Sequence, residues 1–384
     1  MNKIKLITAA FGAIIAGSSV HAAPFMAVGS SAELFVTAKA TLEFNDNLTL
    51  GSDYVAPGAT QPANPVRDDT VVRFAPGLSF EFGKNALVSG KFAYVETITR
   101  HSDNDDLDSE LSDVSFNIQH KDEKSTTSAK ASYRQMNQNT VDLRSPTLSG
   151  REVFNAGVNH EMEVTAKTSL GFGFNHTNTS YKKATFIDQL STSIPVSAFY
   201  ELTPKVDLSF NAQYREVDTD RAASNSDDWT YTVGARGDFT PKLSGSFKVG
   251  VVDRSIQAGG GRTSLALSSN FSYAYSPKTS FTFSAGNDFN TTGTGNAQEN
   301  LDFAVGVSSK VSPDLTISSR VSVRELDNFT KPSDTFYAGS LSAEYVVNAY
   351  WQLRGAFNYQ ENQGGTAGSD FDNKVFSFSA LLRY

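Results

Sequence analysis

Charged side chains in this sequence recur at alternate positions of short apolar runs, a spacing that suits contact with a passing solute better than catalysis. Lys39, Arg73, Lys91, Lys130, Arg134, Arg215, Arg236, Lys248, Arg320, Arg324, Arg354 and Arg383 stand at the parity opposite to their apolar neighbours. Glu43, Glu81, Asp113, Asp207, Asp238, Asp302 and Glu344 share that parity. A surplus of basic over acidic groups on one wet face would bias a water-filled passage mildly toward anions. The same residues also suit ion pairs between neighbouring strands, which would cancel much of that bias.

Other candidates for chemistry are weaker. Asp103 to Glu110 is acidic but lacks the glycine and the spacing of a calcium-binding helix-loop-helix, so it reads as a hydrated loop. Asp227 and Asp228 read as acids of another loop. Gly259-Gly260-Gly261 is followed by no lysine-serine pair, which makes it a loop tip and not a phosphate cradle. His101 near Asp103, and His176 near Asn178 and Ser180, offer no nucleophile, base and orienting group by spacing. The expectation is no catalytic site, no cofactor and no metal. Zero cysteines rule out disulfides and thiolate metal sites, in keeping with an oxidising compartment. The net charge of −8 and the lack of a basic run argue against nucleic acid as a partner.

The elements that must carry these charges are strands. Val206, Leu208, Phe210, Ala212 and Tyr214 alternate with Asp207, Ser209, Asn211, Gln213 and Arg215, a period of two that no amphipathic helix gives. Trp351, Leu353, Gly355, Phe357 and Tyr359 do the same opposite Gln352, Arg354 and Asn358. Turns punctuate them on a regular beat: Thr203-Pro204-Lys205, Thr240-Pro241-Lys242, Ser276-Pro277-Lys278 and Ser312-Pro313-Asp314 fall 36 or 37 residues apart. Carrying the beat outward reaches Val347-Asn348-Ala349 in one direction. In the other it reaches Glu161-Met162-Glu163, Lys121-Asp122-Glu123 and Gly83-Lys84-Asn85. Proline fits because its φ suits a turn and its missing N–H cannot serve a ladder. Each beat is therefore one hairpin, with a tight turn at one end and a longer loop at the other.

A membrane β-barrel accounts for this pattern. Residues 1–22 carry Lys3 and Lys5, an apolar stretch from Leu6 to Gly17 and Val20-His21-Ala22 before a cleavage point, which reads as a secretory signal peptide. Residues 23–384 then form a single barrel domain. No later stretch has the ~18 consecutive apolar residues of a spanning helix, but a barrel strand shows lipid only at every second residue. A water-soluble β-sandwich would also alternate. Aromatic residues favour the membrane: Phe80, Phe82, Tyr200, Tyr273, Trp351 and Tyr384 gather by the turns, and Phe44, Tyr94, Tyr214, Trp229, Phe289 and Tyr359 by the loops. Strands in hydrocarbon must then close into a ring. Nine hairpins from Leu34 to Tyr384 predict an antiparallel up-and-down barrel of 18 strands, with 16 as the alternative. The region from Ala129 to Tyr200 is where a hairpin is most easily miscounted. Such a ring is wide enough for an aqueous lumen. The loop from Asn45 to Asp68 is the longest, and it either covers the mouth or folds inward.

The export signal leading into Ala32-Glu33-Leu34-Phe35-Val36, then Leu42-Glu43-Phe44-Asn45-Asp46-Asn47-Leu48, with regular hairpins and an aromatic last strand, resembles the porin-2-like barrel family of Gram-negative outer-membrane porins. The resemblance implies residence in the outer membrane among its lipids and lipopolysaccharide. It also implies a C-terminal signal, Phe376, Phe378, Leu382 and Tyr384, read by the barrel assembly machinery. Passive diffusion of small hydrophilic solutes is the expected activity. An exopolysaccharide conduit and a structural or adhesive surface barrel are the alternatives, and association into homo-oligomers is left open, with Ala38, Ala40 and Gly355 as small outward residues.

Overall fold

The computed structural model describes residues 24–384 apart from Ser30, Ser145 and Lys331, so the signal peptide read at residues 1–22 lies outside the described residues. Short hydroxyl or amide side chains begin most of the tight turns. Thr203 Oγ1 accepts from the Lys205 and Val206 N–H groups, Thr240 Oγ1 from Lys242 and Leu243, Ser276 Oγ from Lys278 and Thr279, and Ser312 Oγ from Asp314 and Leu315. Asn348 and Asp122 do the same for the N–H groups two and three residues on, Tyr350 and Trp351, and Lys124 and Ser125. Proline sets the φ in four of these turns, but the side chain one position before it satisfies the freed donors.

Between the turns run the strands β1 (Met26–Val28), β2 (Ala32–Asn45), β3 (Asp69–Phe82), β4 (Val88–His101), β5 (Ser109–Lys121), β6 (Ser125–Asn137), β7 (Gly150–Thr165), β8 (Thr168–Tyr181), β9 (Gln189–Thr203) and β10 (Val206–Thr219). They continue as β11 (Ser226–Asp238), β12 (Leu243–Ile256), β13 (Gly261–Ala274), β14 (Thr279–Thr291), β15 (Ala297–Lys310), β16 (Leu315–Asn328), β17 (Asp334–Val346), β18 (Trp351–Gly364) and β19 (Phe371–Arg383). Each of β2 to β19 pairs antiparallel with its sequence neighbours, and β19 pairs back onto β2 from Val375↔Asn45 to Arg383↔Thr37. The result is a closed ring of 18 strands. Closure satisfies every edge that hydrocarbon would otherwise leave unpaired.

β1 was not expected from the sequence. It pairs with β2 at Met26↔Leu34 and Val28↔Ala32, just beyond the point where Tyr384 exchanges hydrogen bonds with Val36. Phe25 meets the Tyr384 ring edge-on at 6.0 Å. The turn expected at Glu161-Met162-Glu163 is displaced: β7 runs through it, and the chain reverses at Ala166-Lys167. Two prolines within strands coincide with gaps in the ladder. Pairing of β3 with β4 skips from Phe74↔Ile98 to Gly77↔Val95 around Pro76, and β8 with β9 from Phe172↔Val196 to Asn175↔Ser193 around Pro195.

The outer face is apolar and open to lipid: Phe210, Tyr231, Val233, Phe283, Val305, Val321, Leu341 and Phe378 are all exposed. Of the aromatic residues assigned to the loop-end girdle, Phe289 departs from that expectation. It is buried inside the barrel at 2 % exposure, against Val252 and Ala266. The loop end carries L1 (46–68), L2 (102–108), L3 (138–149), L4 (182–188), L5 (220–225), L6 (257–260), L7 (292–296), L8 (329–333) and L9 (365–370).

Candidate functional site

The lumen wall is polar because strand parity turns one residue in two inward. All twelve cations singled out in the sequence stand opposite in parity to the exposed apolar side chains, and seven of them are in ion pairs. Arg73 bonds Glu43, Lys91 and Arg383 share Glu81, Arg134 meets Asp113 at 2.6 Å and Arg324 meets Asp302 at 2.5 Å. Arg236 joins Glu161 and Asp207, and Arg215 joins Asp228 and Asp288. Lys39, Lys130, Lys248, Arg320 and Arg354 form no ion pair among the described residues. Arg320 donates to Ser284 Oγ at 3.0 Å. Lys39 lies within electrostatic reach of Arg354 and Arg73, and of Glu43.

One narrowing of the lumen comes from a segment that the sequence did not mark as a constriction. L3 leaves the ring between β6 and β7, yet its contacts lie on the far side. Asp142 faces Gln298 of β15, Arg324 of β16 and Asp334 of β17, and those strands stand opposite β6 and β7 in the ring. L3 therefore crosses the mouth from wall to wall. Arg144 Nη1 donates to the Ser369 carbonyl at 2.7 Å in L9, and its guanidinium lies 5.4 Å from the Phe371 ring centroid. Leu143 packs at Gly293 of L7, where any Cβ would collide with it. Asn139 Nδ2 donates to Thr49 O of L1 at 2.8 Å, and Ser149 Oγ donates to Asn139 Oδ1 at 3.0 Å. Burial pushes the Asp142 carboxyl up, with Arg324 and Arg144 pulling against it and Asp334 with it. Burial likewise pushes Arg144 down, while Asp334, Asp370 and Asp142 favour its charge.

L1, the long loop, packs over the mouth and does not span it. Leu48 is buried with Val71, Leu107 and Leu148, and Asn47 ties Gly51 to the carbonyl of Asp372. Two acids of L2 are engaged by neighbours: Arg67 bonds Asn104 and Asp106, and Arg100 pairs with Asp108 as well as with Glu110 of β5. The Arg67 hydrogen bond holds Asp106 below the usual carboxylate range. His101 lies 3.2 Å from Asp108, whereas His176, on β8, meets Thr192. The two histidines do not share a site.

L7 folds inward from the opposite side. β13 pairs with β14 only as far as Leu267↔Asn287, although β12 pairs with β13 on to Gly261 and β14 with β15 on to Thr291. Above Asn287, β14 leaves the wall. The Asn287 amide replaces the missing ladder, donating to Leu265 O at 2.7 Å. The freed tip is held inside by two arginines. Arg215 donates to Asp288 Oδ2 at 2.7 Å and Phe289 O at 3.0 Å, and Arg254 to Asn290 O at 2.8 Å. Both arginines share the Asp228 carboxylate, at 2.7 Å from Arg215 Nε and 2.6 Å from Arg254 Nε. Asp228 is fully buried within β11, not in a loop, and Arg254 is 1 % exposed. Losing one member of such a buried set costs about 3–5 kcal/mol, because it strands the other charges away from water. Arg254 was not singled out in the sequence. The available signal was its parity with Val252, opposite Val249 and Val251.

Residues 215–384 match the family described as "Putative beta-barrel porin 2", so the resemblance noted in the sequence holds over the C-terminal part of the chain. No curated protein sequence matches. Among solved structures the chain is similar to Pseudomonas aeruginosa OccK9 (OpdG), with a TM-score of 0.50 and 13 % identity over 92 % of this chain and 98 % of that one. A BenF-like porin from Pseudomonas fluorescens Pf-5 gives 0.49 and 12 %, covering 92 % and 99 %. The outer membrane protein OpdK of Pseudomonas aeruginosa gives 0.47 and 12 %, again covering 92 % and 99 %. At 13 % identity the likeness to OccK9 concerns the fold alone.

Proposed function

We propose that this outer-membrane barrel of porin type is a passive channel for small hydrophilic solutes, with a mild preference for anions. The observation that carries the reading is a closed ring of 18 strands with a polar inner wall, narrowed by L3 and by the tip of L7. A ring of this size encloses water, so rate and selectivity are decided at the narrowing and by wall charges. Lys39, Lys130, Lys248, Arg320 and Arg354, free of ion pairs among the described residues, supply the preference. The other seven cations are engaged by carboxylates, Lys91 and Arg383 sharing one.

An exopolysaccharide conduit needs a clear bore for a continuous chain, and L3 lying across the mouth opposes that. An adhesive barrel would present long free loops, whereas the loops after L1 are short, and L1 and L3 are tied to their neighbours. In the same reading, residues 1–22 direct export, and Phe376, Phe378, Leu382 and Tyr384 are read by the assembly machinery. Any homo-oligomer would use Ala38, Ala40 and Gly355 beside the β18–β19–β2 seam.

The test is single-channel recording of the refolded protein in a planar bilayer under a salt gradient. Steady openings with a reversal potential on the anion-selective side are expected. A cation-selective potential would refute the charge preference, and a folded barrel that never conducts would refute the channel.

A further inference from the structure

We infer that the buried triad Arg215, Asp228 and Arg254 positions the β14–β15 hairpin tip as a fixed constriction, and so sets the size limit of the channel. This rests on the diffusion reading above but names the residues that determine its cut-off. The tip has lost its own wall: the β13–β14 ladder ends at Leu267↔Asn287, and nothing in strand pairing returns residues 288–291 to β13. Its inward course is secured from β9, β10 and β12, on the same flank of the ring, and by the L4 backbone. Arg215 and Arg254 hold Asp288, Phe289 and Asn290, Gln189 Nε2 donates to Thr292 O at 2.7 Å, and the Ile187 N–H donates to Gly293 O at 2.8 Å. Phe289, at 2 % exposure, seals the joint against Val252 and Ala266.

A shared carboxylate suits this task. Asp228 fixes both guanidinium planes at once, so each arginine still has donors free for the hairpin backbone. The tip in turn supports L3, because Gly293 is the seat of Leu143. Cutting the triad therefore releases the hairpin and loosens L3, while the 18-strand ring keeps its ladders.

The experiment compares the parent with R215Q/D228N/R254Q, which removes the three charges together and leaves no buried ion unpaired. It also uses Q189A/D288N, which cuts ties to the tip and spares Arg254 with Asp228. Barrel integrity is read from the heat-dependent shift in gel mobility. Conductance and the exclusion limit for uncharged polyethylene glycols are read in bilayers. The triad variant is expected to conduct at least about twofold more and to admit larger polymers, and Q189A/D288N to move the same way by less. Parent-like conductance and cut-off in a folded triad variant would overturn the proposal. If that variant does not fold, parent-like values in Q189A/D288N overturn it instead. A silent parent whose triad variant conducts would sustain this proposal while refuting free diffusion through the native channel.

Discussion

The two ends of the barrel are built on different principles. At the turn end most reversals close on themselves: a Thr, Ser, Asn or Asp accepts from N–H groups two and three residues later, as at Ser312 and Asn348. At the loop end the main ties are made between distant segments. Arg144 finds its acceptors in L9, Asn139 in L1, and the L7 tip is held by β9, β10 and β12. A turn can therefore be altered with a local penalty, whereas a change in one loop propagates across the mouth.

The largest test of this contrast is to replace residues 140–147 of L3 with a short Gly-Ser link. The ring should still form, and conductance should rise about threefold as the crossing segment is lost. Unchanged conductance in bilayers would show that L3 does not limit the passage. Next, K39Q/R354Q should move the reversal potential toward zero and lower anion preference about twofold, with conductance altered little. A reversal potential that does not move would assign the preference to other residues.

A third test uses pH. Because burial raises the Asp142 pKa above its ordinary value, docked L3 binds that proton more tightly than released L3 does. Docking is thus strongest below the ordinary pKa and weakens as pH rises through the raised one. Conductance should fall on acidification through this window, and Asp142→Asn should flatten the response near its acid limit. A D142N channel that keeps the parental pH profile would place the titrating group elsewhere. The smallest effect is expected at the turn end. Ser312→Ala removes two hydrogen bonds and should cost about 0.5–1.5 kcal/mol in urea-monitored folding, with conductance unchanged.

Strand number was legible because the turns recur on a regular beat, and the lumen cations were read from alternation within one strand. Lys39 needed only Ala38 and Ala40 beside it. The displaced turn at Ala166-Lys167 was missed because β7 carries Glu161 and Glu163 within the strand, and two carboxylates beside a methionine look like a turn. Glu161 is spent on Arg236, four strands away in the ring. L3 was missed for a related reason: its contact residues are ordinary loop residues whose partners lie on the opposite wall. L1 drew attention by length, yet Asn47 and Arg67 find their partners at the near rim. Asp228 was read as a loop acid because nothing local distinguishes a solvated aspartate from one that anchors two arginines.

By itself the sequence determined the all-β class and the closed ring, since strand period, turn chemistry and edge satisfaction act over a few residues. Only the tertiary structure decided which segments obstruct the lumen and which charges are free. Those outcomes depend on groups brought together by ring closure, at separations that no local pattern encodes.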